Sequence, residues 1–371
     1  MASAVVGRVV RKGREYARYV GQVRAATRAY GCGLPTALRR AVRLRRNGGW
    51  RLNESLMVGL LDPHCAGSDQ MVSHMESCTV QGLVDAAGVA LVSDKIVLAR
   101  MAPALGIPMP TTHAVLSRMG SGWSWHTSRA VAPWQWAETI DDLPDHIVVK
   151  PAEGYGGNGV RVLSRVAPGL WCTPDGTQVD TAELVAQLRA DREFSVWLCD
   201  QRVINHPVLA ELGAPGVLKT LRVASLVRQD GHPEVMWAVL RLATEGMVDN
   251  VRGGARGVMA WVDVRTGRLT RALSQRPDAP GLEDVTHDPV TGNPLVGTQL
   301  PMWQEVCDLS HLVAHSMLPL RTLGHDIAIT PDGPLLIETN AFYDPAPGFP
   351  MRPAMDAILE AAGMPEAVVS S

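Results

Sequence analysis

The spacing of hydrophobic residues divides the chain into a helical first part and a β-rich second part. Residues 1–90 place apolar side chains three or four positions apart, as amphipathic helices do, with interruptions near Asn47-Gly48-Gly49 and Asp62-Pro63. From Pro144 onward the pattern changes to short β-rich runs separated by turns. Because these runs cluster in sequence more than they alternate with helices, the order predicts an α+β fold rather than a doubly wound sheet.

The individual elements follow from the same pattern. A helix is predicted from Ser93, as its N-cap, to about Leu105, because Val97, Met101 and Leu105 share one face. Strands are predicted at 147–150, 160–163, 194–199, 220–227, 235–242, 258–264, 326–330 and 335–339, and helices near 181–191, 301–318 and 353–362.

The composition is that of a globular protein, with 46% hydrophobic and 19% charged residues. No apolar run approaches the roughly 20 residues that a membrane-spanning helix needs. The six cysteines are scattered, without the close pairs of a zinc site or a redox motif. We interpret them as the reduced thiols of a cytosolic protein, with a disulfide framework as the alternative.

Positive charge is concentrated at the beginning of the chain. Residues 1–51 contain twelve Arg, one Lys and a single acid, Glu15. Helical spacing of Val9, Gly13, Tyr16, Val20 and Val23 among these arginines predicts a basic amphipathic helix. Such a segment fits an anionic membrane surface, an acidic partner or substrate, an organellar targeting signal, or a solvated helical extension. No secretory-type apolar segment follows it, so export is not expected.

The first motif with chemical meaning surrounds Lys150, one of only four lysines. A predicted strand ends at this lysine, a loop with four glycines follows, and a second strand begins near Val160. The glycines are Gly154, Gly156, Gly157 and Gly159. Glycines allow backbone N–H groups to surround phosphate oxygens, and a lysine adds a point charge. The loop matches neither a Walker A nor a Rossmann fingerprint, so an ordinary glycine-rich hairpin is the alternative.

The second motif is a predicted β-hairpin near the end of the chain. A three-residue loop, Pro331-Asp332-Gly333, would place Gly where a left-handed backbone is wanted. With that loop Asp326 faces Glu338, and Asn340 points to the same side because side chains alternate with a period of two. A loop one residue shorter or longer would move Asp326 to the other face.

Three oxygen donors without His or Cys suit a hard cation such as Mg²⁺ or Mn²⁺. Directly opposed carboxylates also repel each other unless a positive charge lies between them. Asp326, Glu338 and Asn340 are therefore candidate metal ligands, and a solvent-facing acidic edge is the alternative.

Two arginines form the third group. Arg222 lies in the predicted strand 220–227, and Arg241 lies near the end of the strand 235–242, close to Asp249-Asn250. Guanidinium groups could hold a γ-phosphate or a substrate carboxylate. The alternative for each is an ordinary surface arginine.

In this order the segments resemble the ATP-grasp proteins, and more narrowly the sugar-transfer-associated branch, over roughly residues 90–350. The resemblance is carried by Ser93-Asp94-Lys95 with 106–110, by 148–160, Asp200-Gln201, 205–207, 219–223, Asp249-Asn250, Gly253-Gly254 and 324–340. It implies an ATP-grasp fold in which two α+β lobes clasp ATP. The chain would then divide into a helical basic region 1–90, a small lobe 91–197 and a large lobe 198–371.

The resemblance also implies roles for the candidate residues. Lys150 would contact the α- and β-phosphates, the glycine loop would close over the triphosphate, and Lys95 would line the nucleotide entrance. The backbone of 198–201 would receive the adenine, with Asp200 or Gln201 near the ribose. Asp326, Glu338 and Asn340 would hold one or two Mg²⁺ or Mn²⁺ ions, while Arg222 and Arg241 would stabilise the transferred phosphoryl group.

The activity implied by the family is ADP-forming ligation in the cytoplasm. A carboxylate would be phosphorylated by ATP and captured by an amine, with small-molecule or glycan-linked substrates from polysaccharide or natural-product assembly. An ATP-dependent kinase and a non-catalytic nucleotide-binding scaffold at the membrane are the alternatives.

The basic N-terminus predicts a peripheral contact with the inner membrane face. No nucleic-acid partner is expected, and the oligomeric state is open. His325 departs from the family, which commonly has tryptophan there, and this change is expected to affect packing more than chemistry.

Overall fold

The computed structural model describes residues 20–65, 67–84, 88–154, 156–244 and 257–364. A helical segment occupies 20–29. The helices that follow are α1 Leu34–Gly48, α2 Leu52–Met57, α3 His74–Gln81, α4 Ala90–Ser93, α5 Lys95–Met101, α6 Trp136–Asp141, α7 Thr181–Ala190, α8 Pro207–Ala210, α9 Trp303–Ser316 and α10 Arg352–Ala361.

The strands form two antiparallel sheets. They are β1 Thr112–Ser117, β2 Gly122–Ser124, β3 Arg129–Val131, β4 His146–Pro151, β5 Arg161–Ala167, β6 Leu170–Cys172, β7 Gln178–Asp180, β8 Val196–Gln201, β9 Thr220–Val227, β10 Pro233–Ala243, β11 Gly257–Asp263, β12 Arg268–Gln275, β13 Leu282–Val285, β14 Thr322–Thr330 and β15 Gly333–Asn340. The first sheet has the order β3-β2-β1-β8-β4-β5-β6-β7, and the second has the order β13-β12-β11-β10-β9-β14-β15. The predicted strands, the three later helices and the α+β class are confirmed.

The chain divides into two compact units. The first comprises Met1–Val84, Ala272–Val285 and Phe342–Ser371, and the second comprises Asp85–Arg271 and Thr286–Ala341. The first unit thus begins like the predicted region 1–90 but also includes two segments that the sequence placed in the lobe 198–371. The assignment of these two segments to the first unit depends on contacts between residues that are far apart in sequence, and the local hydrophobic pattern does not predict such contacts.

In the first unit, short helices, including α1, pack around a small hydrophobic core. Ala37 of α1 packs with Val23, Ala26, Leu56 and Leu61. The helix ends at Gly49, whose φ of 66° and N–H bond to the carbonyl of Leu44 make a left-handed cap, so the predicted interruption at 47–49 is confirmed.

The predicted amphipathic helix of the N-terminus is only partly within the described residues. Val9, Gly13 and Tyr16 lie outside them. Val23 is buried, whereas Val20 is 50% exposed. The core therefore lies on the Val23 side of this helical segment, and the amphipathic helix over the whole N-terminus stays a prediction.

The first sheet belongs to the second unit and packs one face against α6 and α7. Strand residues Ile147 and Val149 alternate with the less buried His146, Val148 and Lys150. They join Trp136, Leu184 and Trp197 in one fully buried cluster. The opposite face of β4 and β8 carries Lys150 and Asp200 by the same alternation. The core thus leaves one face of these two strands for polar chemistry.

In the second sheet, β9 and β14 are adjacent central strands, and α9 packs against β9, β10, β14 and β15. All residues of β14 are buried, and only Arg222 interrupts the buried run of β9. Because both strands are buried on both faces, most of their residues are apolar, and this explains the nearly continuous apolar runs in the sequence.

The helix predicted from Ser93 begins differently. Asp94 is the N-cap of α5, since its side chain accepts a hydrogen bond from Ile96 N at 2.8 Å. Ser93 instead ends α4 and donates to the Val89 carbonyl. A 3₁₀ turn at Ala102–Leu105 completes the predicted span. The prediction of Ser93 as N-cap was wrong because the neighbouring Asp is an equally good cap.

The sequence predicted no membrane-spanning helix and reduced cysteines. No helix in this part of the chain is long and apolar enough to cross a membrane. All six cysteines lie within it, and all six are free thiols. The fold therefore depends on packing and hydrogen bonding rather than on disulfide cross-links.

We predict that Trp136→Ala destabilises the second unit by about 3–5 kcal/mol, because it removes a fully buried indole from a close-packed core. Trp134→Ala is the matched control, since Trp134 is 80% exposed, and it should change the free energy of unfolding by less than about 0.5 kcal/mol. Urea unfolding followed by circular dichroism measures both. Equal losses would contradict the different environments of the two indoles.

Candidate functional site

The predicted site residues all lie in the second unit. Lys150, Asp200 and Gln201 belong to the first sheet, and the glycine loop connects two of its strands. The arginines, both carboxylates and Asn340 belong to the second sheet. Lys95 begins α5.

The glycine loop connects β4 to β5 as predicted. Its four predicted glycines all have positive φ, at 142°, 73°, 72° and 76° in chain order. A Cβ on Gly154 would come within 3.1 Å of the Phe194 ring, and a Cβ on Gly159 within 2.9 Å of Pro151. Glycine is therefore required here both by the backbone conformation and by close packing. Phe194 was not predicted as a site residue, because its contact with the loop is a tertiary one.

Lys150 forms a largely buried ion pair. Its Nζ lies 2.7 Å from Oδ2 of Asp200, and Oδ1 of Asp200 accepts a hydrogen bond from Thr112 Oγ1 at 2.8 Å. Side-chain exposure is 14% for Lys150 and 7% for Asp200. The sequence assigned both residues to a nucleotide but did not predict that they contact each other. Thr112 was missed because β1 and β8, which are distant in sequence, become neighbours only in the sheet.

The interpretation of 198–201 as an adenine-binding hinge needs correction. Strand β8 is central in its sheet, and Leu198, Cys199 and Asp200 pair with β1 on one side and with β4 on the other. Their backbone groups are thus used in the sheet rather than offered to a ligand. The connecting segment follows at 202–206, and Gln201, at the exposed end of β8, remains a candidate.

The carboxylate hairpin has the predicted facing pair but a different loop. Thr330 pairs with Gly333, so the loop has two residues instead of three. A register shift then makes Ile337 an extra, bulged residue, and Asp326 again pairs with Glu338. The loop prediction was wrong by one residue, and the bulge compensates for it. The opposition of Asp326 and Glu338 is confirmed.

Asp326 is held by the two predicted arginines. Arg222 Nε and Nη2 lie 2.5 Å and 3.2 Å from its oxygens, and Arg241 Nη2 lies 2.8 Å from Oδ2. Arg222 is its cross-strand neighbour on β9, and Arg241 reaches over from β10. Both arginine side chains are less than 20% exposed. Neither is therefore an ordinary surface arginine.

The negative charge of Asp326 is compensated by the two arginines. Burial alone would raise the pKa of the Asp326 carboxyl, but Arg222 and Arg241 outweigh it and hold that pKa well below its usual range. Asp326 is thus ionised, and its oxygens accept three N–H contacts. Its predicted role as a metal ligand stays a prediction. Asp249-Asn250, which were expected near Arg241, lie outside the described residues, and so do Gly253-Gly254 of the family resemblance.

Lys95 connects the glycine loop to the second sheet. Its Nζ donates to the carbonyl oxygen of Gly154 at 2.9 Å and lies 3.7 Å from Glu338 Oε2. Oε1 of Glu338 accepts a hydrogen bond from Asn340 Nδ2 at 3.1 Å. The structure thus brings together the predicted loop, the predicted entrance lysine and two of the predicted metal ligands.

The oxygen donors fit a magnesium ion in part. Among the described residues, no group of three or more His, Cys, Asp and Glu side chains is arranged to hold a metal. Glu338 and Asn340 share one face of β15 and are partly exposed. Mg²⁺ is commonly bound by one or two carboxylates together with ligand phosphates, so these two residues fit a metal that arrives with a phosphorylated ligand.

His325 lies on the face of β14 opposite Asp326. Its ring nitrogens contact Ser225 Oγ at 2.8 Å and Thr339 Oγ1 at 2.9 Å. Burial lowers the pKa of His325 to about 3, so the imidazole is neutral. It therefore packs in the interior, away from the carboxylate face.

Lys219, another of the four lysines, is also structural. It is fully buried, and its Nζ donates to the Ala214 carbonyl at 2.9 Å. Burial lowers the pKa of its ammonium group.

The first unit contains a separate cleft of about 1070 Å³ that none of the predicted site residues lines. Its charged lining consists of Arg40, Arg43, Arg46, Arg352, Asp69, Glu76 and Asp356. Arg352 and Glu76 form an ion pair. The four positive and three negative charges nearly balance, so the cleft has no strong preference for an anion or a cation.

Several solved ligase and synthetase structures are similar to this chain at low identity. VanG D-Ala:D-Ser ligase from Enterococcus faecalis is 11% identical, with a TM-score of 0.43, over 78% of this chain and 69% of that chain. D-Alanine-D-alanine ligase from Helicobacter pylori is 11% identical, with a TM-score of 0.40, over 73% and 61%. An ADP complex of purK, N5-carboxyaminoimidazole ribonucleotide synthetase, is 13% identical, with a TM-score of 0.42, over 74% and 53%.

The chain thus spans little more than half of the purK structure's length. No curated protein sequence matches this chain. At these identities and TM-scores, the family assignment rests on the sequence match to a family model. That model, described as sugar-transfer associated ATP-grasp, matches residues 81–351. This range covers most of the chain and every predicted site residue, and the protein therefore belongs to the sugar-transfer associated ATP-grasp family.

Proposed function

We propose that this protein is an ATP-dependent, ADP-forming ligase that joins a carboxylate to an amine. The observation that carries the proposal is the convergence around Lys95. One ammonium contacts both the glycine loop of the first sheet and Glu338 of the second. Membership of the ATP-grasp family supports the same class.

The proposed nucleotide site uses the polar face of β4 and β8. The glycine loop would supply backbone N–H groups to the phosphates, and Lys150 would add positive charge. An ammonium has three donors, so Lys150 can contact a phosphate while it keeps its bond to Asp200. Asp200 and Gln201, at the end of β8, are proposed to lie near the nucleoside.

Glu338 and Asn340 are proposed to hold the Mg²⁺ or Mn²⁺ that accompanies ATP. When bound, the ion would neutralise phosphate charge. Asp326 is proposed to position Arg222 and Arg241 next to each other. A guanidinium has five N–H donors, so Arg222 has donors left for a transferred phosphoryl group after its two contacts with Asp326.

The proposed reaction balances in two steps. A carboxylate oxygen of the substrate attacks the γ-phosphorus, the bond to the β,γ-bridging oxygen breaks, and ADP leaves. The amine then attacks the acyl carbon, inorganic phosphate leaves, and the amine loses a proton. Catalysis of the first step depends mainly on positioning and charge neutralisation, which the clustered cationic side chains would provide.

Location and substrate class are further parts of the proposal. Six free thiols support a reducing compartment, the cytoplasm. The family's association with sugar transfer supports small-molecule or glycan-linked substrates from polysaccharide or natural-product assembly. This is an association of the family, and substrate trials must test it.

We expect micromolar, Mg²⁺-dependent ATP binding that Lys150→Gln weakens by about ten- to a hundredfold. The change removes the charge that would contact phosphate but keeps a donor for Asp200. Arg192→Gln, on the exposed surface, is the control and should bind like wild type. Isothermal calorimetry measures all three. Unchanged affinity in Lys150→Gln would remove this lysine from the site, and no binding by wild type would refute the proposal.

Glu338→Gln should lower product formation at least about a hundredfold and abolish the Mg²⁺ dependence of ATP binding, because it removes the one accessible charged metal ligand. Glu283→Gln, an exposed strand residue, should change neither. Carboxylate and amine pairs are screened for release of ADP and free phosphate. ADP without free phosphate would favour a kinase, which leaves the phosphate on its product.

Asp326→Asn should lower the free energy of unfolding by about 3–5 kcal/mol at pH 7, because two buried guanidinium groups lose their countercharge. The folded-state pKa of Asp326 is depressed, so its contribution is present above the unfolded value near 3.9 and is lost as pH falls through the folded value. The difference between wild type and variant should therefore shrink below about pH 4.

Asp332→Asn, in the exposed loop of the same hairpin, is the matched control. Denaturant unfolding between pH 7 and pH 3 measures all three proteins. If Asp326→Asn and Asp332→Asn were equally stable, Asp326 would not anchor the arginines.

A further inference from the structure

Helix α1 in the first unit presents an outer face that combines exposed apolar side chains with arginine. Leu34, Leu38 and Val42 recur every four residues and are 43%, 49% and 55% exposed. Ala37, which is fully buried, packs in the core together with the partly buried Ala41 and Leu44. The apolar stripe of α1 lies beside this packed side, about 100° around the helix from it, and is exposed.

The charge of this helix is entirely positive. Its fifteen residues contain five arginines and no acid or lysine. Three of the arginines donate hydrogen bonds to backbone carbonyls: Arg39 within the helix to Pro35, Arg40 to Leu60 and Arg45 to Gly49. Arg39, Arg43 and Arg46 are exposed, and within the described residues no carboxylate forms an ion pair with them. These three arginines and the stripe Leu34, Leu38 and Val42 are called the α1 outer face below.

We propose that the α1 outer face binds the surface of an anionic lipid bilayer. Leucine and valine side chains at this spacing can enter the boundary between headgroups and acyl chains, while arginines at its edge hold lipid phosphates. The helix would lie on the membrane rather than cross it, because its mean composition is far too polar for a spanning segment. This inference is independent of the proposed ligase activity.

Charge argues against two other occupants of this face. Residues 1–19 contain five basic residues and one acid, so the chain's own N-terminus would bring like charge against α1. A second copy of the face would bring three further arginines. An anionic surface instead gains from every arginine, and each is worth about fivefold in affinity near an acidic membrane.

The test uses the full chain and extruded vesicles of phosphatidylcholine alone or with 30% phosphatidylglycerol, a composition chosen on the order of cellular anionic content. Cosedimentation should show binding to the anionic vesicles only, with at least about tenfold loss between low and high salt. Equal binding to both vesicle types, or none to either, would overturn the proposal.

Two pairs of matched variants locate the binding surface. Arg39→Gln/Arg43→Gln should weaken binding about 25-fold, whereas Arg192→Gln/Arg265→Gln, on exposed positions elsewhere, should not. Leu38→Ser/Val42→Ser should weaken binding about tenfold, whereas Met119→Ser/Ile204→Ser, which removes side chains that are 81% and 64% exposed, should not. Circular dichroism confirms that each variant is folded.

Soluble glycerol 3-phosphate separates a lipid surface from a small phosphate ligand, because Arg43 and Arg46 also line the cleft of the first unit. Millimolar concentrations, on the order of weak anion affinities, should leave vesicle binding unchanged. Displacement of the protein from vesicles at these concentrations would overturn the surface proposal in favour of a phosphate site. Variants of α1 that bind like their controls would overturn it in favour of residues outside α1.

Discussion

The polar face of the second sheet depends on one buried carboxylate. Two guanidinium groups from β9 and β10 converge within hydrogen-bonding distance of Asp326, and without a negative charge between them they would repel each other in a medium of low dielectric. Because the flanking strands are almost continuously buried, water supplies little of that compensation. The position of Arg222 and Arg241 is thus a consequence of the Asp326 carboxylate, and so is any chemistry that they perform.

Lysine and arginine have separate roles in this chain. Three of the four lysines lie in the described second unit, each with a defined partner: Lys95 at Gly154, Lys150 at Asp200 and Lys219 at Ala214. A compact ammonium fits where one point charge must reach a carbonyl or a single carboxylate oxygen, whereas the planar fork of arginine spans both oxygens of Asp326.

The two units place polar groups for different purposes. In the second unit, alternation along β4 and β8 buries one face against helices and leaves Lys150 and Asp200 on the other. In the first unit, α1 buries alanine and exposes leucine, valine and arginine. Both arrangements follow from the way side chains repeat, every second residue along a strand and about every 3.6 residues along a helix. Only the first was predicted from the sequence as a binding site, because a glycine loop follows the strand that carries Lys150.

The sequence by itself determined the α+β class, eight of the fifteen strands in the described residues, the glycine loop and the family, because these depend on residue type and spacing along one segment. It also determined that Asp326 opposes Glu338, although the loop length was wrong and the bulge at Ile337 corrected the register. Only the tertiary structure decided that Asp200 contacts Lys150, that Phe194 and Thr112 support the site, and that 272–285 and 342–371 join the first unit. Those outcomes depend on contacts between distant segments, whose energies are set by packing and burial rather than by local spacing.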